Sequence, residues 1–382
     1  RYPEAKALAT GDDGGIYAVA ANEGNDFGSS WIVRQDIMDE LGLSAPKNPE
    51  EFYNMLKKMK EAYPDSYPLI SRLPIYRDGG EIFGVLIRSF TGLNGALIPF
   101  DPETEKYVFT PDHPGFKDAL IYLNKLHDEK LLDPEFGIMT QAQWEERFLA
   151  GKSFVTHYDK ARVEGFENIA KESNLIPGFT TSSIPPFAVD GVKNYLFSRE
   201  EISNSTTFAI SNKVSDKEAA VKFMDYLLGQ EGSNYLALGF EGETYSYVDG
   251  EPKFLESLGA APYNFLRGEY GIWYPQINLD NGKSRRAEFY SEKKKGLQAM
   301  YEPYVVIAPK SLILTDEENE LQKNKLDNLT QYMTQKISEF IAGRQPINEA
   351  TMQEFVQQSI KLGAHELRDM YNASYERTYG TN

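Results

Sequence analysis

The chain has 382 residues, more than one hydrophobic core usually serves, so two lobes are expected. Its hydrophobic share of 41% and charged share of 25% are those of an ordinary globular protein, and no window reaches the roughly 18 consecutive apolar residues of a membrane-spanning helix. A formal charge of −17 argues against a nucleic-acid surface, and the absence of cysteine excludes disulfides, thiolate zinc sites and cysteine nucleophiles.

Gly15 to Ala20 alternates as a short strand. Trp31 follows in a loop that leads into a helix closed by Gly42; Pro46 and Pro49 mark a turn, and a second amphipathic helix runs to about Tyr63. Prolines then bracket a turn that leads into a strand at Leu69-Ile70, and Tyr76-Arg77-Asp78 lies in an irregular stretch between Pro74 and Gly79-Gly80. From Asn94 to Thr110 an alternating, turn-rich segment with Asp101-Pro102-Glu103 at its tip predicts a β-hairpin.

The helix that starts at Pro114 places Phe116, Leu120, Leu123 and Leu126-His127 on one stripe, and Leu131-Leu132-Asp133-Pro134 ends it. A further helix from Gln141 to Ala150 stops at Gly151 and passes into a strand over Ser153 to Tyr158; Trp144 shares a helical face with Phe148 and is assigned to the core. The outlet of that strand, Tyr158 to Arg162, lies at a carboxyl end, where open α/β sheets place their ligands.

A loop rich in Pro, Ser and Thr from Pro177 to Pro186 precedes a serine-rich strand over Ser203 to Ser211, a helix from Lys217 to Leu228, and a glycine-marked turn at Gly239-Phe240-Glu241-Gly242. The one basic run, Lys293-Lys294-Lys295 with Arg285-Arg286 upstream, reads as a solvated helix face. Thr315 has Glu318 three residues on, the capping pattern of a long helix that ends near Gly343; another helix runs from Asn348 to Leu362 and stops at Gly363.

Flat aromatic rings with planar polar groups at their edges make a binding surface for ligands that present apolar faces ringed by polar groups. The chain holds 3 Trp, 24 Tyr and 22 Phe, several of them in loops rather than on helical stripes. Trp273-Tyr274 sits between Gly271 and Pro275, which disfavours burial in a helix. Tyr158, with Asp159 and Arg162 beside it, occupies a strand outlet; the alternative there is a surface ion pair between Asp159 and Arg162. Asn204 and Ser205 can donate hydrogen bonds, although such residues also form turns.

The strand, helix and proline turn over residues 15–52, the glycine-strand step at 151–158, the Gly-Phe-Glu-Gly turn and the closing helices together resemble the extracellular solute-binding proteins, family 1, of the sugar-binding type. The tail in particular is similar to the lipoprotein members of Gram-positive bacteria. The likeness spans nearly all residues. It implies an α/β, periplasmic-binding-protein-like (type II) fold of two lobes with hinge crossings. Residues 1–28 would be the remainder of the amino-terminal lobe and the first crossing, 29–202 the carboxyl-terminal lobe, 203–268 the amino-terminal lobe again, and 269–382 the carboxyl-terminal lobe with its closing helices.

The resemblance also implies a function: capture of a carbohydrate, with an oligosaccharide as the leading ligand, and its delivery to the permease subunits of an ABC importer. A monomer is expected, outside the cell and anchored to the membrane as a lipoprotein, with no cofactor, metal or nucleic acid. Where some relatives carry a calcium loop this chain offers only Asp65. The anchor, its leader cysteine and the first strands of the amino-terminal lobe are expected ahead of Arg1. The positions matched to the family's cleft are Trp273, Tyr274, Tyr158, Tyr76, Arg77, Arg162 and Asn204, with Trp31 either in the cleft or as a clamp beneath the hinge.

Two other functions stay open on the residues alone, a glycoside-processing enzyme with an aromatic cleft and a peptide-binding surface lipoprotein. Against an enzyme, the sequence has no G-x-S-x-G elbow, phosphate loop, G-x-G-x-x-G or H-E-x-x-H, and its four histidines are scattered. Glu145-Glu146 and Glu200-Glu201 are the adjacent carboxylates that hydrolysis would have to recruit.

Overall fold

The computed structural model describes residues 6, 9–10, 14–16, 18–22, 28–72, 81–173, 176–198, 202–258, 262–272, 291–309 and 312–380. The chain forms two compact units, a larger one of residues 28–196 and 300–382 and a smaller one of residues 1–27 and 197–299. The units divide after residues 27, 196 and 299. Within the smaller unit the N–H of Ile272 donates to the carbonyl of Leu266.

In chain order the strands are β1 (Val19–Asn22), β2 (Ser29–Arg34), β3 (Phe100–Asp101), β4 (Lys106–Tyr107), β5 (Val155–Asp159), β6 (Thr181–Ser182), β7 (Leu196–Ser198), β8 (Ile202–Phe208), β9 (Tyr245–Val248), β10 (Glu251–Phe254) and β11 (Val305–Ile307). The α-helices are α1 (Gln35–Glu40), α2 (Pro49–Ala62), α3 (Glu81–Thr91), α4 (Gly115–Asp128), α5 (Gln141–Leu149), α6 (Arg162–Ser173), α7 (Lys217–Leu228), α8 (Gln230–Leu238), α9 (Pro262–Tyr270), α10 (Glu292–Tyr301), α11 (Asp316–Ile341), α12 (Glu349–Lys361) and α13 (Ala364–Tyr379).

The larger unit is built around β2, the middle strand of the antiparallel sheet β5-β2-β6. Trp31 lies opposite His157, Ser30 opposite Tyr158 and Val33 opposite Ser182. Ser30 to Arg34 are all buried, because a strand with neighbours on both edges and cover on both faces has no solvent side. That is why Trp31 stands in a strand and not in the expected loop: an unbroken buried run carries no alternation to read.

Helix α2 forms where the sequence places it. Asn48 accepts from the N–H of Glu51, Pro49 supplies a preset first turn, and Phe52, Tyr53, Met55, Leu56 and Met59 are buried along one side. Phe52 stacks on Phe187 at 4.7 Å and meets Trp31 at 5.0 Å, an aromatic cluster at the base of β2. The stripe of α4, Phe116, Leu120, Leu123 and Leu126, is fully buried, while His127 is half-buried. Between them α3 is apolar nearly all round, packs on α4 and β5, and has no stripe for a sequence pattern to reveal.

The closing helices complete the same core. Leu329, Met333, Ile337 and Phe340 of α11 are buried, and Phe355 of α12 lies parallel to Phe116 with ring centroids 6.2 Å apart. Gly363, between α12 and α13, has φ +105°, and a Cβ there would stand 2.9 Å from Cδ of Lys325, so the sharp turn needs glycine.

In the smaller unit β1 and β8 pair antiparallel, Val19 opposite Phe208, with a register shift between Ala20 and Ala21. β9 and β10 make a two-residue hairpin whose turn, Asp249-Gly250, has φ of +57° and +84°, the left-handed pair that matches strand twist. Asp216 caps α7 by accepting from the N–H of Ala219. Among the described residues its buried apolar side chains are Leu227, Leu238, Tyr245, Leu266, Ile272 and Leu297.

Candidate ligand-binding site

Alternation along β5 sends Thr156 and Tyr158 to one face of the sheet and His157 to the other, so its carboxyl end offers two surroundings. On the first face Trp144 of α5 is fully buried, as its helical stripe predicts. Its Nε1 donates to Oγ1 of Thr156 at 3.0 Å, and that hydroxyl donates to the carbonyl of Ile70 at 2.9 Å. With its one polar atom satisfied, the indole stands edge-on to the half-buried Tyr158 ring at 5.0 Å.

Arg72 lies over the same phenol, its guanidinium carbon 4.5 Å from the ring centroid. Glu81, at the start of α3, holds it there: Oε1 accepts from Nε of Arg72 at 3.1 Å, and Oε2 accepts from the Arg72 backbone N–H at 3.1 Å. Glu81 is 6% exposed and adopts φ +28°, a strained value for a residue with a side chain. The outlet therefore carries an aromatic ring with a planar cation fixed across it.

Arg162, first residue of α6, pairs with Glu145 of α5 at 2.8 Å, not with Asp159. Asp159 turns inward on its own chain, where Oδ1 accepts from the N–H of Ala161 at 2.8 Å. Both members of the Arg162–Glu145 pair are about a quarter exposed, at 28% and 25%, so the pair adds at most about 1 kcal/mol and leaves the guanidinium open to exchange partners.

The second face is closed. Trp31 is 1% exposed, parallel to Phe187 at 5.6 Å and edge-on to His157 at 5.3 Å. The backbone of β2 is pinned there by Tyr301, whose hydroxyl accepts from the Trp31 N–H at 2.9 Å and donates to the carbonyl of Ile184 at 2.8 Å. Burial pushes the Tyr301 phenol up to about 12. Burial first, and the nearby Arg88 charge second, push His157 down to about 3, so its imidazole is neutral at any ordinary pH. Burial also brings Arg88 down to about 10, with Tyr301 opposing.

Of the residues matched to the cleft in the sequence, the structure has Tyr158 and Arg162 at the outlet of β5, with Trp144 and Arg72 against the Tyr158 ring and Glu81 bonded to Arg72. Trp31 belongs to the core of the larger unit, where Phe52, Phe187 and His157 enclose its ring. Trp273, Tyr274, Tyr76 and Arg77 lie outside the described residues, as does the side chain of Asn204 within β8.

Comparison with known proteins places this architecture. The chain is 24% identical over 366 residues to "Lipoprotein LipO" of Bacillus subtilis (strain 168), an alignment that covers 90% of this chain and 68% of that one. Among solved structures it is similar to an alginate-binding protein, AlgQ2, with a TM-score of 0.76 at 21% identity, over 98% of this chain and 77% of that one. It is also similar to the Streptococcus pneumoniae substrate-binding protein FusA in complex with kestose, with a TM-score of 0.73 at 18% identity, over 98% of this chain and 79% of that one. These likenesses show an α/β, two-lobe solute-binding fold. The profile of the bacterial extracellular solute-binding proteins matches residues 13–234, more than half of the sequence. The chain therefore belongs to the bacterial extracellular solute-binding protein family.

Proposed function

We propose that this solute-binding protein takes up a carbohydrate, an oligosaccharide, outside the cell and hands it to the membrane permease of an ABC importer, as a lipid-anchored monomer. Family membership makes it a binding protein and not an enzyme. The observation that carries the carbohydrate reading is the outlet of β5, where the Tyr158 ring, the Arg72 guanidinium over it and the Arg162–Glu145 pair set a flat ring among planar polar groups. Such a surface suits the C–H faces and hydroxyl edges of a sugar. Two of the similar folds belong to proteins whose descriptions name saccharides, alginate for AlgQ2 and kestose for FusA. Trp273, Tyr274, Tyr76, Arg77 and Asn204 are proposed as further contacts.

A thermal-shift screen against oligosaccharides and peptides tests this reading. A saccharide at a hundred to a thousand times its dissociation constant is expected to add roughly 3 to 4 kcal/mol of stability. Tyr158→Ala and Trp273→Ala should each weaken that response. Stabilisation by peptides with none by saccharides overturns the reading, and turnover of a chromogenic glycoside would replace it with hydrolysis.

A further inference from the structure

Two antiparallel strands in one register exchange backbone hydrogen bonds at every second pair until something interrupts them. Along the edge between β2 and β6 that register is fixed at two points. The Gln35 N–H donates to the Thr180 carbonyl at 2.9 Å, and Val33 lies opposite Ser182. The next pair in the same register is Trp31 with Ile184, yet β6 ends at Ser182.

The interruption is a side chain. The Tyr301 hydroxyl accepts from the Trp31 N–H at 2.9 Å and donates to the Ile184 carbonyl at 2.8 Å, so it stands between the two groups that would otherwise bond each other. Ser183 serves the other half of the pair: its Oγ donates to the Trp31 carbonyl at 2.6 Å and lies 3.2 Å from the Tyr301 hydroxyl. Tyr301 is 1% exposed and is the last residue of α10. Unlike a water in the same gap, this hydroxyl is held by the chain and does not exchange with solvent.

What the hydroxyl fixes is the start of β2, and the ring at the outlet of β5 is registered on that start. Ser30 lies opposite Tyr158, and Trp31 opposite His157. Because β2 is the middle strand, moving its first residues toward β6 either carries the end of β5 along or breaks their pairing. In chain order Trp31 follows the first division between the units, Ser183 and Ile184 precede the second, and Tyr301 follows the third. One hydroxyl thus joins the three segments of the larger unit that lead to those divisions.

We propose that Tyr301 is a positioning residue of the solute site: its hydroxyl wedges the β2–β6 ladder one hydrogen-bonded pair short and so sets where the Tyr158 ring stands. The inference rests on the reading of the β5 outlet as part of that site. Without the hydroxyl a buried N–H and a buried carbonyl face each other unpaired, which is costly, so the two close on one another. β2 then starts nearer β6, and the ring leaves the place that a bound solute requires.

Tyr301→Phe keeps the ring and removes the wedge. In its crystal structure the Trp31 nitrogen should come within about 3.2 Å of the Ile184 oxygen, with β6 longer by that pair. Nitrogen-15 spectra of the ligand-free chain give a second reading. The chain has 3 Trp, whose indole signals are assigned by replacing each with Phe, and Trp144 stands edge-on to the Tyr158 ring at 5.0 Å. The Trp144 signal should move by more than its line width in Tyr301→Phe, and in the same direction by less in Ser183→Ala. Ile337→Val loosens the same core from α11 without touching the wedge, and should leave that signal in place. The oligosaccharide that most stabilises the parent in the screen above should bind about threefold or more weakly to Tyr301→Phe and equally well to Ile337→Val.

A gap that stays open or fills with water in Tyr301→Phe overturns the inference. So does a Trp144 signal that stays put in both Tyr301→Phe and Ser183→Ala or moves as far in Ile337→Val, and so does an unchanged saccharide affinity. If no saccharide stabilises the parent, the carbohydrate reading fails, and the crystal structure and the indole signal alone decide the role of Tyr301.

Discussion

His157 titrates differently in the folded and unfolded chain, and the sign of that difference is fixed by its burial. Folded, burial and the Arg88 charge hold it at about 3; unfolded, it titrates near its ordinary value of 6.5. As pH drops below about 6.5 the unfolded chain therefore takes up a proton that the folded chain refuses, and stability falls until about pH 3. By pH 5 the loss from this one group is about 2 kcal/mol. Urea unfolding of the parent and of His157→Gln at pH 7 and pH 5 checks it: the variant should lose less stability across that interval, and parallel losses would remove His157 as the cause. At this scale the sequence exposed Tyr158 and Arg162, because a strand outlet after a glycine step announces itself locally. Arg72 and Glu81 were not legible as a pair, since nine residues of chain separate two groups that meet only through the position of α3. Arg88 was hidden too, a lone charge within Ile82-Phe83-Gly84-Val85-Leu86-Ile87 and Ser89-Phe90 that no spacing rule marks.

The start of α11 joins local capping to long-range pairing. Thr315 accepts from the N–H of Glu318, and Glu318 reaches back to the N–H of Thr315 at 2.8 Å. The same carboxylate takes both Nη groups of Arg377 in α13, at 2.6 and 2.7 Å, which fastens the start of one helix to the end of another. Arg377 first, with Thr315 also contributing against a small desolvation cost, brings the Glu318 carboxyl down to about 2. Because the folded value lies below the unfolded one, this stability is fully present above about pH 4.5 and is lost as pH falls through about 2. Arg377 is 44% exposed, so solvent screens the pair, and Glu318→Gln should cost only about 1 kcal/mol at neutral pH. Denaturant midpoints at pH 7 and pH 3 should show that cost shrinking; a constant difference would mean that the charge contributes nothing. Helices that are capped or striped, such as α2, α4, α11 and α12, could be read from sequence because their signals are local. β2 and α3 could not, because each is buried on every side and so loses the periodicity that a solvent face imposes.

At the scale of the molecule, the two units differ in what holds them. The larger has one contiguous core that runs from the Trp31, Phe52 and Phe187 rings to Phe340, Phe355 and Leu367 of the closing helices. The smaller has far fewer buried apolar side chains among its described residues, and its first segment is tied in through the β1–β8 pair, where the register is already interrupted. Apolar burial is the main favourable term in folding, at roughly 25 cal/mol for each Å² removed from water, so the smaller unit should be the first to unfold. Its own tryptophan offers a way to see this. Trp31 and Trp144 are buried in the larger unit, whereas Trp273 belongs to residues 197–299 of the smaller. In a Trp273→Phe variant tryptophan emission reports on the larger unit alone, while far-ultraviolet circular dichroism reports on both. On heating, the dichroism should begin to fall before the emission shifts to the red, giving two transitions where a single cooperative body gives one. Coincident transitions by both probes would show that the three passages of chain between the units couple them into one folding unit, and that the weaker core of the smaller is made good by the larger.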